Sequence, residues 1–185
     1  MKVKYSDLKN KRIFITGGGS GIGASIVEHF CEQGSEVYFV DIDLKETKKL
    51  LNKIKKNKFR TPTFIECNLL DINKLEKTIK NIIAKKGPIH ALINNAANDD
   101  RHTTDQVDEK YWENRMAINL KHYFFAAKAV VKSMKKMKAG SIVNLSSVSW
   151  MLGEGDKVVY ETAKSAVVGL TRSFAQEYGL SLIHI

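Results

Sequence analysis

The chain has 185 residues, 43% of them hydrophobic, enough for one buried core and too few for two. Its formal net charge of +10 raises the question of nucleic acid, but the lysines are spread over polar helix faces (Lys45, Lys48, Lys49, Lys53, Lys55, Lys56, Lys58) with no interleaved aromatics to stack bases. No apolar run precedes the first strand and none reaches some 18 residues, so neither a nucleic-acid nor a membrane partner is expected.

The first strand, Arg12-Ile-Phe-Ile-Thr16, breaks at once into Gly17-Gly-Gly-Ser-Gly-Ile-Gly23 and then into a helix. Ile22, Ile26 and Phe30 recur along that helix at helical spacing, and Gly34 stands where a C-terminal cap residue belongs. Glu36–Val40 is a second strand ending in Asp41, followed by a helix with Leu44, Thr47, Leu51 and Ile54 on one face. Thr63–Cys67 reads as a third strand, and Ile72, Leu75, Ile79, Ile82 and Ile83 mark the next helix, which Gly87-Pro88 ends. A fourth strand, Ala91–Asn94, leads into a polar loop, Asn95–Asp108. Trp112–Met137 reads as one long helix with Leu120, Tyr123, Phe124, Ala127, Val131 and Met134 buried in its second half. Ser141–Ser146 is a fifth strand and Val158–Tyr178 a final helix. Cys31 and Cys67 fall among apolar residues, as buried thiols in a reducing compartment do, and the expected location is cytoplasmic.

Strand and helix alternate throughout, which predicts a single-domain α/β fold, a doubly wound, Rossmann-like parallel sheet with right-handed crossovers. Such sheets bind ligands at the carboxyl ends of their strands, and there the unusual residues of this chain fall: the glycines, Asp41, Asn68, Asn94 to Ala97, and Ser146 to Trp150.

The glycine turn leaves backbone N–H groups and the positive end of a helix dipole facing a small volume suited to a pyrophosphate. Read from Gly18 to Ser25, it has the spacing of an ATPase phosphate loop, but Ala24 stands where that loop requires lysine. Read from Gly19 to Ala24, it fits the dinucleotide pattern. Asp41, ~20 residues on, is placed to accept hydrogen bonds from ribose hydroxyls, whereas capping of the next helix falls more naturally to Asp43. A 2′-phosphate beside Asp41 would be repelled by about 4 kcal/mol at ~4 Å and an effective dielectric near 20. No basic residue compensates at Ser20 or Ile42, so the expected cofactor is NAD.

Tyr160 and Lys164 are four apart on a predicted helix and share a face. A phenol is a poor base at neutral pH, and a fixed neighbouring cation lowers its pKa. A surface Tyr and Lys on an ordinary helix is the blander alternative. Ser147 follows the fifth strand, and Asn119 stands among apolar neighbours of the long helix, either functional or a buried amide satisfied by backbone groups.

Thr16-Gly-x-x-x-Gly-Ile-Gly23, Asn94-Asn-Ala-Ala97, Asn119, Ser147 and Tyr160-x-x-x-Lys164 together resemble the short-chain dehydrogenases/reductases over almost the whole chain. The resemblance implies that Tyr160 is the general base on a substrate hydroxyl, Lys164 lowers its pKa and binds the nicotinamide ribose, Ser147 positions the substrate oxygen, and Asn119 holds a water of the proton relay. It implies NAD binding by Gly17, Gly19, Ser20, Gly21, Ile22, Gly23, Asp41, Asn68, Leu69, Asn95 and Ala96, with Tyr160 and Lys164. Two positions depart from the family pattern: Ala97 replaces a usual glycine, and Asn68 an aspartate that often contacts adenine. Asn95 to His102, Ser149-Trp150 and Tyr160-Glu-Thr-Ala-Lys164 further resemble the bacterial NAD-dependent sugar 1-dehydrogenases of D-xylose type in this family. That likeness implies oxidation of an aldose at its anomeric hydroxyl to a lactone, with Asn98, His102, Ser147, Trp150 and Tyr160 at the substrate and no metal. Another secondary alcohol or ketone, a noncatalytic NAD-binding role, and a merely solvated loop at Asn95–Asp108 are the alternatives. Family analogy implies a homodimer or homotetramer.

The closing Leu180-Ser-Leu-Ile-His-Ile185 resembles the read-through of a sequencing adapter. Residues 1–179 are therefore expected to form the catalytic domain without its C-terminal strands, and 180–185 a non-native tail.

Overall fold

A computed structural model describes residues 3–185, so the first two residues of the expected 1–179 domain lie outside the described residues. The strands are β1 (Arg12–Thr16), β2 (Glu36–Asp41), β3 (Thr63–Glu66), β4 (Ala91–Asn94), β5 (Gly140–Asn144) and β6 (Ile183–His184). They form one sheet in the order β3-β2-β1-β4-β5-β6, every pair parallel. The helices are α1 (Gly21–Glu32), α2 (Leu44–Lys56), α3 (Ile72–Lys86), α4 (Glu109–Met116), α5 (His122–Met137), α6 (Ser149–Leu152) and α7 (Val158–Tyr178).

Because side chains alternate across a strand, each central strand feeds two cores. Ile13, Ile15, Val37 and Phe39 pack with Val27 and Cys31 of α1 and Leu50 and Ile54 of α2. Phe14, Tyr38, Val40 and Leu92 pack on the other side with α3, α5 and Phe174 of α7. The order of strands reverses between β1 and β4, which opens a crevice at their carboxyl ends.

The predicted elements differ from the observed ones in register. On α1 the buried stripe is Gly23, Val27 and Cys31, and Ile22 is 69% exposed, because the helix begins at Gly21 and turns Ile22 toward the crevice. On α2 the stripe is Thr47, Leu50 and Ile54, with Leu44 exposed. Asp43 caps α2 by accepting the Glu46 N–H at 2.9 Å, which leaves Asp41 for the crevice. The long helix is interrupted: α4 passes through a π-helical turn, Ala117–Lys121, into α5. Phe124, expected inside, is 41% exposed and packs on the buried Phe174 of α7 at 5.6 Å between centroids. The polar loop contains a short 3₁₀ turn, Thr104–Gln106, closed by a reciprocal cap between Thr103 and Gln106.

The edge of β5 carries β6, which falls within the expected non-native tail. Ile183 and His184 pair with Gly140 and Ser141, and Ile183 is buried. Cys31 and Cys67 are buried free thiols, and burial pushes the Cys31 thiol up to about 12. Among the described residues no helix is long and apolar enough to cross a membrane.

Candidate active site

The crevice at the switch point has a volume of about 470 Å³. Of the residues expected at a cofactor, Gly17, Ser20, Gly21, Ile22, Gly23, Asp41, Asn68, Leu69, Asn95 and Ala96 line it, as does Asn98 from the substrate set. Gly19 stands behind them, donating its N–H to Asp41 Oδ2 at 2.7 Å.

The cradle is built from backbone. Gly17 has φ +65° and lies against Ala96, where an added Cβ would stand 2.8 Å from the Ala96 Cα. A Cβ on Gly23 would collide with the Gly17 carbonyl oxygen and come within 2.6 Å of Asn95 Nδ2. Asn95 cannot give way, since its amide donates to the Thr16 and Gly17 carbonyls at 3.1 and 2.9 Å. Gly23→Ala is therefore expected to cost about 3 kcal/mol. That lowers the melting temperature by ~6–12 °C and weakens dinucleotide binding at least about tenfold, measured by thermal denaturation and by NADH fluorescence titration. Ser20 at the N-cap of α1 makes no side-chain cap, and the first turn carries no acidic residue, so its N–H groups are left for an anion.

Asp41 is fixed by three N–H donors: Gly19 on Oδ2, and Ile42 and Asp43 on Oδ1 at 2.7 and 2.9 Å. Among the described residues no lysine or arginine lines the crevice, where Asp41 and Asp99 are the charged residues. Asn68 is exposed and its Oδ1 accepts the Leu70 N–H at 3.0 Å. Thr16 Oγ1 accepts the Asn95 and Ala96 N–H groups at 3.0 and 3.2 Å and lies 3.4 Å from His122 Nε2. His122 is fully buried, and that burial, with the Lys164 charge adding to it, holds its pKa down at about 3 and keeps it neutral.

Tyr160 and Lys164 share one face of α7, with Nζ 5.6 Å from the Tyr160 ring centroid. Lys164 is 2% exposed, and its ammonium donates to the Tyr123 hydroxyl at 2.9 Å and the Leu145 carbonyl at 2.7 Å. Burial pushes its pKa from 10.5 down to about 8, against a smaller opposite pull from Asp99. Ser146 Oγ donates to the Lys164 carbonyl at 2.7 Å, which ties the segment after β5 to α7. Ser147 Oγ lies 2.9 Å from Ser149 Oγ and accepts the Ser149 N–H at 3.2 Å.

Asn119 is wholly buried in the π-helical turn. Its Oδ1 accepts the Asn98 N–H at 2.8 Å and its Nδ2 donates to the Asn98 carbonyl at 2.9 Å. The amide thus does the backbone-satisfying work that was the blander alternative, and it pins the loop after β4.

His102 is held within the protein. Its ring is buried, with Nδ1 at 3.0 Å from the Asp100 carbonyl and 2.9 Å from the Tyr111 hydroxyl, while Nε2 accepts the Val159 N–H at 3.3 Å. Both ring nitrogens are occupied in stapling the loop to the start of α7. Asn98 keeps Nδ2 without a partner among the described residues, its Oδ1 accepting the Asp100 N–H at 2.9 Å. Trp150 stands on α6, 36% exposed. Sequence reasoning passed over Ile118 and Cys67 as crevice-lining residues, and over Tyr123 as a partner of Lys164. Among the described residues no cluster of His, Cys, Asp or Glu could hold a metal ion.

The fold and this site define an oxidoreductase of one class. Residues 11–185 match the short chain dehydrogenase family, and the chain belongs to it. Its curated relatives include the D-xylose 1-dehydrogenase of Caulobacter vibrioides, 42% identical over 175 residues, covering 95% of this chain and 68% of that protein. The probable galactose dehydrogenase GalD of Rhizobium meliloti is 37% identical, covering 98% and 71%. A metagenomic short-chain oxidoreductase solved in complex with NADP superposes with a TM-score of 0.90 at 23% identity, covering 96% and 80%, a likeness of fold.

Proposed function

We propose that the chain oxidises a cyclic aldose at its anomeric hydroxyl to the lactone with NAD. The observation that carries this reading is the joining, on one face of α7, of Tyr160 with a buried Lys164, in a chain whose glycine cradle has no room for a side chain. The likeness to the xylose and galactose enzymes supports a sugar.

The residues present fit a dinucleotide. The open first turn of α1 and the glycines would take the pyrophosphate, Asp41 the adenosine ribose, Asn68 and Leu69 the adenine, and Asn95 and Ala96 the wall between them. A 2′-phosphate would meet Asp41 with no basic residue lining the crevice among the described residues, which favours NAD over NADP. When bound, NAD supplies the hydride acceptor. Tyr160 takes the proton of the sugar hydroxyl, and the Lys164 ammonium stabilises the phenolate that does so. The Ser147 hydroxyl can turn its proton to the substrate oxygen, since its lone pair already takes the Ser149 N–H. Asn98 Nδ2 and Trp150 offer a donor and a flat apolar face to a sugar ring. The exposed Phe124 of α5, which packs on the buried Phe174 of α7, is the proposed contact for a homodimer or homotetramer. Buried free thiols support a cytoplasmic setting.

A panel of aldoses assayed with NAD and with NADP, following absorbance of the reduced cofactor, tests this. Turnover of an aldose with NAD is expected, at a kcat/KM at least about tenfold above that with NADP. Reaction with steroids, acyl thioesters or simple alcohols alone would overturn the substrate, and a preference for NADP would overturn the role of Asp41.

A further inference from the structure

We infer that Tyr123 is a positioning residue for Lys164, its hydroxyl holding the ammonium so that a single N–H remains uncommitted to the protein. An ammonium has three donors and no acceptor. Two of the three on Lys164 are committed to the protein, one to the Tyr123 hydroxyl at 2.9 Å and one to the Leu145 carbonyl at 2.7 Å. Since lysine cannot accept, the Tyr123 hydroxyl must accept from Nζ, and its own proton goes to the Leu145 carbonyl at 3.0 Å in preference to the Ala96 carbonyl at 3.5 Å. Nζ, the phenol oxygen and the carbonyl oxygen thus form a closed triangle with every bond direction fixed.

Tyr123 is itself wholly buried, so its ring is held by the core and its hydroxyl has little freedom to follow the lysine. Burial pushes the Tyr123 phenol up, which keeps it protonated and able to donate to Leu145 while it accepts from Lys164. The ammonium lies 5.1 Å from the Tyr123 ring centroid and 5.6 Å from that of Tyr160, between the two phenols. One phenol fixes it and the other is left to use it. The neighbouring His122 reaches Thr16 at the start of the glycine turn, so consecutive residues of α5 brace the cofactor turn and the lysine.

The role assigned to Tyr123 rests on the proposed use of Lys164, and the Lys164 ammonium can be followed without cofactor or sugar. In ¹H–¹⁵N spectra of the intact chain, the ammonium signal of Lys164 is expected to titrate with a midpoint of about 8. Tyr123→Phe keeps the ring and removes an acceptor of the charged form, so that midpoint is expected to fall by about one pH unit. The alkaline limb of kcat falls with it, because activity needs the protonated lysine. An unmoved midpoint in a folded variant overturns the proposal. Should Tyr123→Phe fail to fold by circular dichroism, the ¹³Cζ resonance of Tyr123 in the wild-type chain is read instead. It is expected to step at the Lys164 midpoint, and a flat response overturns the proposal. A shifted midpoint without turnover of any aldose would leave this role standing and remove the substrate reading.

Discussion

Tyr160→Phe is expected to lower kcat by about 10³-fold, within the range that a positioned proton acceptor contributes. The loss should be purely chemical. The Tyr160 hydroxyl has no protein hydrogen-bond partner among the described residues, and its ring is half-buried at the start of α7. Removing the oxygen therefore leaves no orphaned group and no cavity, and the melting temperature should stay within about 2 °C of the parent. Binding of NADH, read by fluorescence titration, should change by less than about twofold, since the glycine cradle and Asp41 are untouched. Initial rates with an aldose and NAD decide the matter. Unchanged turnover would mean that Tyr160 is not the base, and would favour a dinucleotide-binding role without this chemistry.

Much of this site is written in local chemistry. The glycine turn is legible because a positive φ at Gly17 and Gly21 and a backbone-to-backbone approach at Gly23 exclude side chains, which leaves a glycine spacing visible in the chain itself. Asp41 is legible because a carboxylate at the end of an apolar strand is costly unless something uses it, and Asp43 does the capping. The fold class follows from alternation alone, since strands buried on both faces need helices between them. What escaped the sequence depends on residues far apart in the chain. The π-helical turn at Ala117–Lys121 sits where Asn119 meets Asn98 and His122 meets Thr16, contacts that no local period encodes. With the helix broken there, periodicity fitted straight through it misplaced Phe124. His102 looked like a loop donor because its partners, Tyr111 and Val159, lie 9 and 57 residues away. Tyr123 looked like core, and is core, but its one polar atom meets Lys164 41 residues on.

Lys164→Met is expected to destroy turnover while making the protein more stable, the two effects having one cause. The ammonium is buried without a carboxylate in hydrogen-bond contact: its partners are a phenol and a carbonyl, and burial takes its pKa from 10.5 to about 8. Between those values the folded chain binds fewer protons than the unfolded one, so stability rises with pH across the window from about 8 to 10.5, and the penalty is fully present below pH 8. At pH 7 that penalty is about 3 kcal/mol. Methionine, similar in length and apolar, removes it, and no polar atom is stranded, since the Tyr123 hydroxyl keeps its bond to the Leu145 carbonyl. A melting temperature higher by ~6–12 °C at pH 7 follows for a chain of this size, with the gap from wild type closing as the pH is raised toward 10.5. Thermal denaturation across that pH range checks it. A variant that melts below the wild type at pH 7, or a gap that does not change with pH, would mean that the triangle around Nζ compensates the buried charge in full. A gap that closes on schedule would mean that the fold carries a destabilising cation at the point where the chemistry needs one.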